Sequence, residues 1–138
     1  MMQPHNLNYY NSCSMVFNVV IDNDTKLLFL GDADGTEATG SPLAEMMAIY
    51  TSTTLDADIV QAAHHGMNKG DIVEAFYEKL TPDYVFIPVA DRYISSDGKS
   101  ATRIDERPAY DLSGEKLVAG SSETVLTIDA NGNITKNS

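Results

Sequence analysis

The 138-residue sequence predicts an α/β domain, and three observations lead to that expectation. Short β-branched and aromatic runs alternate with amphipathic segments across residues 26 to 89, in the order strand, helix, strand, helix, strand that suits helices packed on a sheet. The hydrophobic content of 43% supplies one buried core at this length. Two of the apolar runs end in glycine-bearing polar clusters, Gly31-Asp32-Ala33-Asp34-Gly35 and His64-His65-Gly66, as chains do where a loop leaves a strand end.

Met15 to Ile21 (MVFNVVI) and Lys26 to Leu30 (KLLFL) flank the polar stretch Asp22-Asn23-Asp24-Thr25 and read as a β-hairpin. After the loop Gly31 to Gly40, Ser41-Pro42 is a helix start, with Ser suited to capping and Pro to the first helical position. Leu43, Met46, Met47 and Tyr50 then form one apolar face. Asp58 to Ala63 reads as a short buried strand, with HHGMNKG as the loop at its C-terminal end. Asp71 and Glu74 resemble a capping box, followed by an apolar stripe of Ile72, Val73, Phe76, Tyr77 and Leu80. Thr81-Pro82-Asp83 ends that helix, and Tyr84 to Val89 (YVFIPV) is another strand.

Residues 90–122 are mostly polar and are expected to form a long loop, with a turn at Asp97-Gly98. Glu123 to Asp129 alternates, Ala130-Asn131-Gly132 is a turn signal, and Asn133 to Lys136 is the expected partner strand. Residues 1–10 read as a flexible N-terminal segment and 11–138 as a single domain.

The formal charge of −11, with nine scattered basic residues, gives no patch suited to nucleic-acid phosphates. The single cysteine, Cys13, forms neither an internal disulfide nor a thiolate cluster. No apolar run reaches membrane-span length, and MMQPHNLNYYNS lacks the basic and apolar regions of an export signal. A soluble chain is the expectation, with its compartment left open.

Carboxyl ends of strands in α/β sheets are where ligands collect. Asp32 offers a hard oxygen ligand or a base, and neutral imidazole binds zinc, iron and other transition metals. Were the two strands neighbours, Asp32 and His65 would face each other across their ends. An Asp after a strand-end Gly is ordinarily a turn or capping residue, and Asp34 reads as a loop stabiliser. The adjacent histidines are harder to dismiss as surface groups.

The succession SMVFNVVIDNDTKLLFLGDAD, helix, ADIVQAAHHGMNKG, helix, PDYVFIPV resembles the second half of a metallo-β-lactamase-fold hydrolase, nearest the subgroup found in competence DNA-uptake proteins. The similarity covers roughly residues 11 to 90. It implies half of a four-layer αββα sandwich, with a mixed β-sheet and helices on one face. It also implies a two-zinc centre in the complete domain, in which Asp32 bridges the ions and His65 binds the second. His64 would take a catalytic role facing the substrate, or exchange roles with His65. The implied reaction is attack of a metal-activated water on a phosphoester or another ester or amide.

The family's principal motif, HxHxDH, is absent from this sequence, and His5 does not replace it. By ligand count the isolated chain is expected to hold zinc weakly or not at all and to be inactive. Its expected partners are the missing N-terminal half of the domain or a second copy, docked as a homodimer through an exposed sheet face. The alternative is a noncatalytic interaction module of the same descent. A third reading, Asp32-Ala33-Asp34 as the DxD motif of a nucleotide-sugar transferase, leaves the histidines without a role.

Overall fold

The computed structural model describes residues 14–22, 24–35, 40–51, 55–90, 93, 104–118 and 124–137. His5, Cys13 and the segment 1–10 lie outside them.

The apolar runs flanking the first polar stretch pair as an antiparallel hairpin of β1 (Phe17–Ile21) and β2 (Thr25–Phe29), in register from Phe17 opposite Phe29 to Ile21 opposite Thr25. Asp22 turns the chain at φ 51°, a left-handed conformation that short polar side chains tolerate better than most. From β2 the sheet continues in parallel through β3 (Ile59–Gln61), β4 (Tyr84–Ile87) and β5 (Glu115–Val118), in the spatial order β1-β2-β3-β4-β5.

Strand alternation divides this mixed sheet into two faces. Leu28, Val60 and Val85 lie in register, all fully buried or nearly so, and pack in one core with residues from α1 (Pro42–Ile49), α2 (Asp71–Tyr77) and α3 (Pro108–Asp111). Leu43, Val73, Phe76 and Ala109 are the helices' buried contributions. The opposite face presents Leu27, Phe29, Ile59, Phe86 and Leu117. Together with Leu126 and Ile128 they line a groove of about 230 Å³. The second hairpin, β6 (Val125–Ile128) and β7 (Ile134–Asn137), forms its own two-stranded sheet. It is tied to the main sheet by the Thr25 hydroxyl donating to the Gly132 carbonyl at 3.3 Å and by Lys136 with Glu115 at 2.6 Å. On β1, Phe17 stacks on Phe29 with ring centroids 4.9 Å apart. Phe17 and Val19 nevertheless remain 44% and 38% exposed.

Three local expectations are corrected. The stretch read as one long loop, 90–122, contains a 3₁₀ turn at Ile104–Glu106, helix α3 and the edge strand β5. Glu115 and Lys116 hide the strand in the sequence, whereas four ladder pairs with β4 hold it in the fold. Gly114, at φ 88°, lets the chain enter β5, because a Cβ there would run into the backbone of Pro82 and Asp83. Ser41 sits at the N-cap of α1 but makes no side-chain capping bond. Gly70 is the N-cap of α2, which makes Asp71 its first helical residue and not the capping group. Asp71 and Glu74 still place negative charge in the first turn, where the helix dipole favours it. Among the described residues, no helix is long and apolar enough to cross a membrane.

Candidate functional site

Asp32 follows the C-terminal end of β2, in a loop held by its neighbour strand. Gln61, the polar residue of β3, uses Oε1 to accept the amides of Leu30 at 3.1 Å and Gly31 at 2.8 Å. Its own amide donates to the carbonyl of Ala62. The loop is thereby fastened to the strand that leads into the histidines.

After β3 the chain makes a single tight turn, Ala63–Gly66, in an uncommon conformation. His64 (φ 49°, ψ 49°) and His65 (φ 56°, ψ 23°) are both left-handed, and Gly66 follows at φ 73°. A left-handed non-glycine residue costs roughly 1–2 kcal/mol, and such conformations persist only where their surroundings impose them. Here the His64 amide donates to the Gly31 carbonyl at 2.9 Å and the Met67 amide to the His64 carbonyl at 2.9 Å. The amide of Ala63, the first residue of the turn, donates to the buried Tyr77 hydroxyl at 3.0 Å. Burial pushes the Tyr77 phenol far above its usual range, an effect the Ala63 bond only partly offsets, so the ring stays neutral.

This backbone sends the two imidazoles in different directions. The His64 ring turns to Asn68, with Nδ1 and Oδ1 3.0 Å apart. The His65 ring reaches across to β4, where Nδ1 lies 2.8 Å from the carbonyl oxygen of Pro88. A carbonyl only accepts, so that proton resides on Nδ1, and Nε2 of the neutral ring bears the lone pair. That Nε2 lies 3.5 Å from Oδ1 of Asp32, and both side chains are 46% exposed. Asp32, His65 and Pro88 come from the ends of three adjacent parallel strands, β2, β3 and β4.

An imidazole nitrogen and a carboxylate oxygen form a zinc-type donor set. Metal–ligand distances of about 2.0–2.2 Å at a tetrahedral angle put two donors about 3.4 Å apart, so the Asp32–His65 spacing fits one edge of such a site. Among the described residues, no group of three or more His, Cys, Asp or Glu is placed to hold a metal ion. The pair therefore offers two ligands where a structural zinc site has four.

Sequence reasoning singled out Asp32, His64 and His65, and the fold brings the first and third together. His64 stands apart from that pair, its ring centroid 6.1 Å from that of His65. Asp34 is buried, and its carbonyl accepts the Leu43 amide at 3.1 Å, joining the loop to α1. Gln61, Asn68, Tyr77 and the Pro88 carbonyl went unnoticed in the sequence. Gln61 alone left a signal there, as the lone polar residue in an apolar run. A larger groove of about 390 Å³, lined by Glu74, Glu78 and Asp111 among others, contains none of the candidate residues. Comparison with known protein families, with curated proteins and with solved structures finds no match to this chain.

Proposed function

We propose that this chain is the C-terminal portion of a metal-dependent hydrolase of the metallo-β-lactamase type, acting on a phosphoester or another ester or amide. The observation that supports this most is the 3.5 Å approach of the His65 Nε2 lone pair to Asp32 Oδ1 at the carboxyl edge of the sheet. Two lone-pair donors at that spacing call for a proton or a cation between them. Asp32 and His65 would hold the ion, while the Pro88 carbonyl keeps the His65 proton on Nδ1 and so keeps Nε2 available. A zinc ion held there would supply Lewis acidity and would make a water molecule more acidic. With two ligands among the described residues, the isolated chain would be inactive, and the remaining ligands would come from an N-terminal half of the domain. Phosphodiester substrates rest on the sequence resemblance alone.

Equilibrium dialysis against zinc tests the reading. The chain is expected to bind zinc weakly, and D32A and H65A to reduce the affinity further by more than about tenfold, since outer-shell losses alone cost about 10–100-fold. Equal zinc retention by all three proteins would sink it.

A noncatalytic interaction module is the second reading, favoured by the exposed apolar side chains of Phe17 and Val19 beside Leu27 and Phe29. It implies self-association through this face. Sedimentation equilibrium is expected to show a dimer that V19K dissociates. A monomer at all concentrations would remove the homodimer.

A further inference from the structure

The ladder between β2 and β3 ends at Phe29 opposite Gln61, and past that pair a side chain takes over from the backbone. The amides of Leu30 and Gly31 both donate to Oε1 of Gln61, at 3.1 and 2.8 Å. Successive amides of a regular strand point to opposite edges, so two that meet on one oxygen mark the place where the chain leaves the sheet. Nε2 of the same side chain donates to the carbonyl of Ala62, the residue before the histidine turn. The Ala62 amide turns the other way, to the Phe86 carbonyl of β4 at 2.8 Å. One end of the Gln61 amide thus holds the departing Asp32 loop, and the other holds the approach to the histidines.

The orientation of that amide is set by its partners. Backbone N–H groups only donate and a carbonyl only accepts, so Oε1 belongs to Leu30 and Gly31 and Nε2 to Ala62; a flipped amide would lose all three bonds. Packing does not call for a polar residue here. Gln61 stands in register between Phe29 and Phe86 and lines the apolar groove with Leu27, Ile59 and Leu117. A hydrocarbon side chain would suit that face better. What glutamine supplies, and methionine or leucine would not, is the set of three bonds. Gly31 is held at both ends, its amide by Gln61 and its carbonyl by the His64 amide at 2.9 Å. Asp32 is the next residue along one chain segment, and His65 is the next along the other.

We propose that Gln61 is the positioning residue that sets the spacing of Asp32 and His65. It acts through the Gly31 amide on one side and the Ala62 carbonyl on the other, joining the two strand ends where the ladder no longer does. Oδ1 of Asp32 is thereby kept 3.5 Å from Nε2 of His65. The side chain need touch neither ion nor substrate. Its bearing on metal binding rests on the hydrolase reading; its bearing on the spacing does not.

The test combines hydrogen exchange of the Leu30 and Gly31 amides in the full chain with solid-state ¹³C–¹⁵N dipolar dephasing between the Asp32 carboxyl carbon and Nε2 of His65. Q61M removes acceptor and donor at similar volume. The two amides should then exchange about five- to tenfold faster, as for the loss of one ordinary hydrogen bond, while those of Val60 and Val85 keep their wild-type rates. The Asp32–His65 dephasing should weaken. Q61E keeps the acceptor and loses the donor, so both amides should stay protected, with dephasing between that of Q61M and that of the wild type. Zinc affinity in Q61M should fall about 10–100-fold, as for lost outer-shell partners. Unchanged exchange at Leu30 and Gly31, or unchanged dephasing, in Q61M overturns the proposal. So does an acceleration shared equally by Val60 and Val85, which would make Gln61 a residue of general stability. If Q61M does not fold, Q61E decides, because loss of protection at both amides there would show that the acceptor does not hold the loop. Wild-type chain that binds no zinc overturns the hydrolase reading and leaves the exchange and dephasing results to decide the role of Gln61.

Discussion

Nε2 of His65 faces Oδ1 of Asp32 at 3.5 Å across the ends of two neighbouring parallel strands, and the ring is held in that orientation by the Pro88 carbonyl of a third. A divalent ion is expected to bind at this pair first, because an imidazole nitrogen and a carboxylate oxygen at that spacing can act on one ion together. Titration with cobalt(II) is therefore expected to broaden the NMR resonances of Asp32 and His65 first. Broadening spread evenly over the acidic surface would contradict a preformed pair.

The left-handed turn makes a prediction that reverses an ordinary preference. Ala usually stabilises a chain relative to Gly, but at φ 56° a Cβ is penalised by about 1–2 kcal/mol. H65G should therefore be more stable than H65A by about 1 kcal/mol, both variants having lost the same imidazole. Urea denaturation of the two decides it. Greater stability in H65A would mean that position 65 is not held left-handed in solution.

Tyr77 braces the same turn from α2. Y77F leaves the buried Ala63 amide without its acceptor, which costs about 1–3 kcal/mol. Y50F, at an exposed residue, should change stability little by comparison. Matching denaturation midpoints for Y77F and wild type would show that the Ala63 bond contributes nothing.

The second hairpin should respond to acid. The Asn133 side-chain amide, followed by the Asn133 and Asn131 backbone amides, holds the Asp129 carboxyl below the usual carboxylate range. Because the folded value lies below the unfolded one, the stabilisation is fully present above the unfolded value and disappears as pH falls through the folded value. At neutral pH the turn is intact. Acid titration should shift the Asn131 and Asn133 amides together, and D129N should abolish that linked transition. Independent movement of the two amides would argue against a shared carboxylate anchor.

Much of this arrangement was legible in the sequence because local periodicity and composition coincide with burial. Leu28, Val60 and Val85 occupy apolar runs, and Ser41-Pro42 marks where α1 begins. The strand β5 was not legible, since Glu115 and Lys116 give no alternating signal and its stability comes from pairing with residues about thirty positions earlier. Asp32 and the two histidines were singled out from residue type and strand-end position, and His65 in preference to His64 from the family resemblance. Their supports were not, because the Gln61, Asn68 and Pro88 contacts are made across strands and leave no local pattern. Nor does residue type alone predict two successive left-handed histidines; the hydrogen bonds around the turn impose them.

The parallel ladder also sets an order of assembly. The β1–β2 hairpin closes over a few residues, whereas the β2–β3 and β3–β4 pairings each require a crossover through a helix to be brought home first. Asp32, His65 and Pro88 therefore meet only after β4 has docked. Until then the residues are present but not brought together, so a cation held by the proposed pair would report that the sheet has closed around its centre.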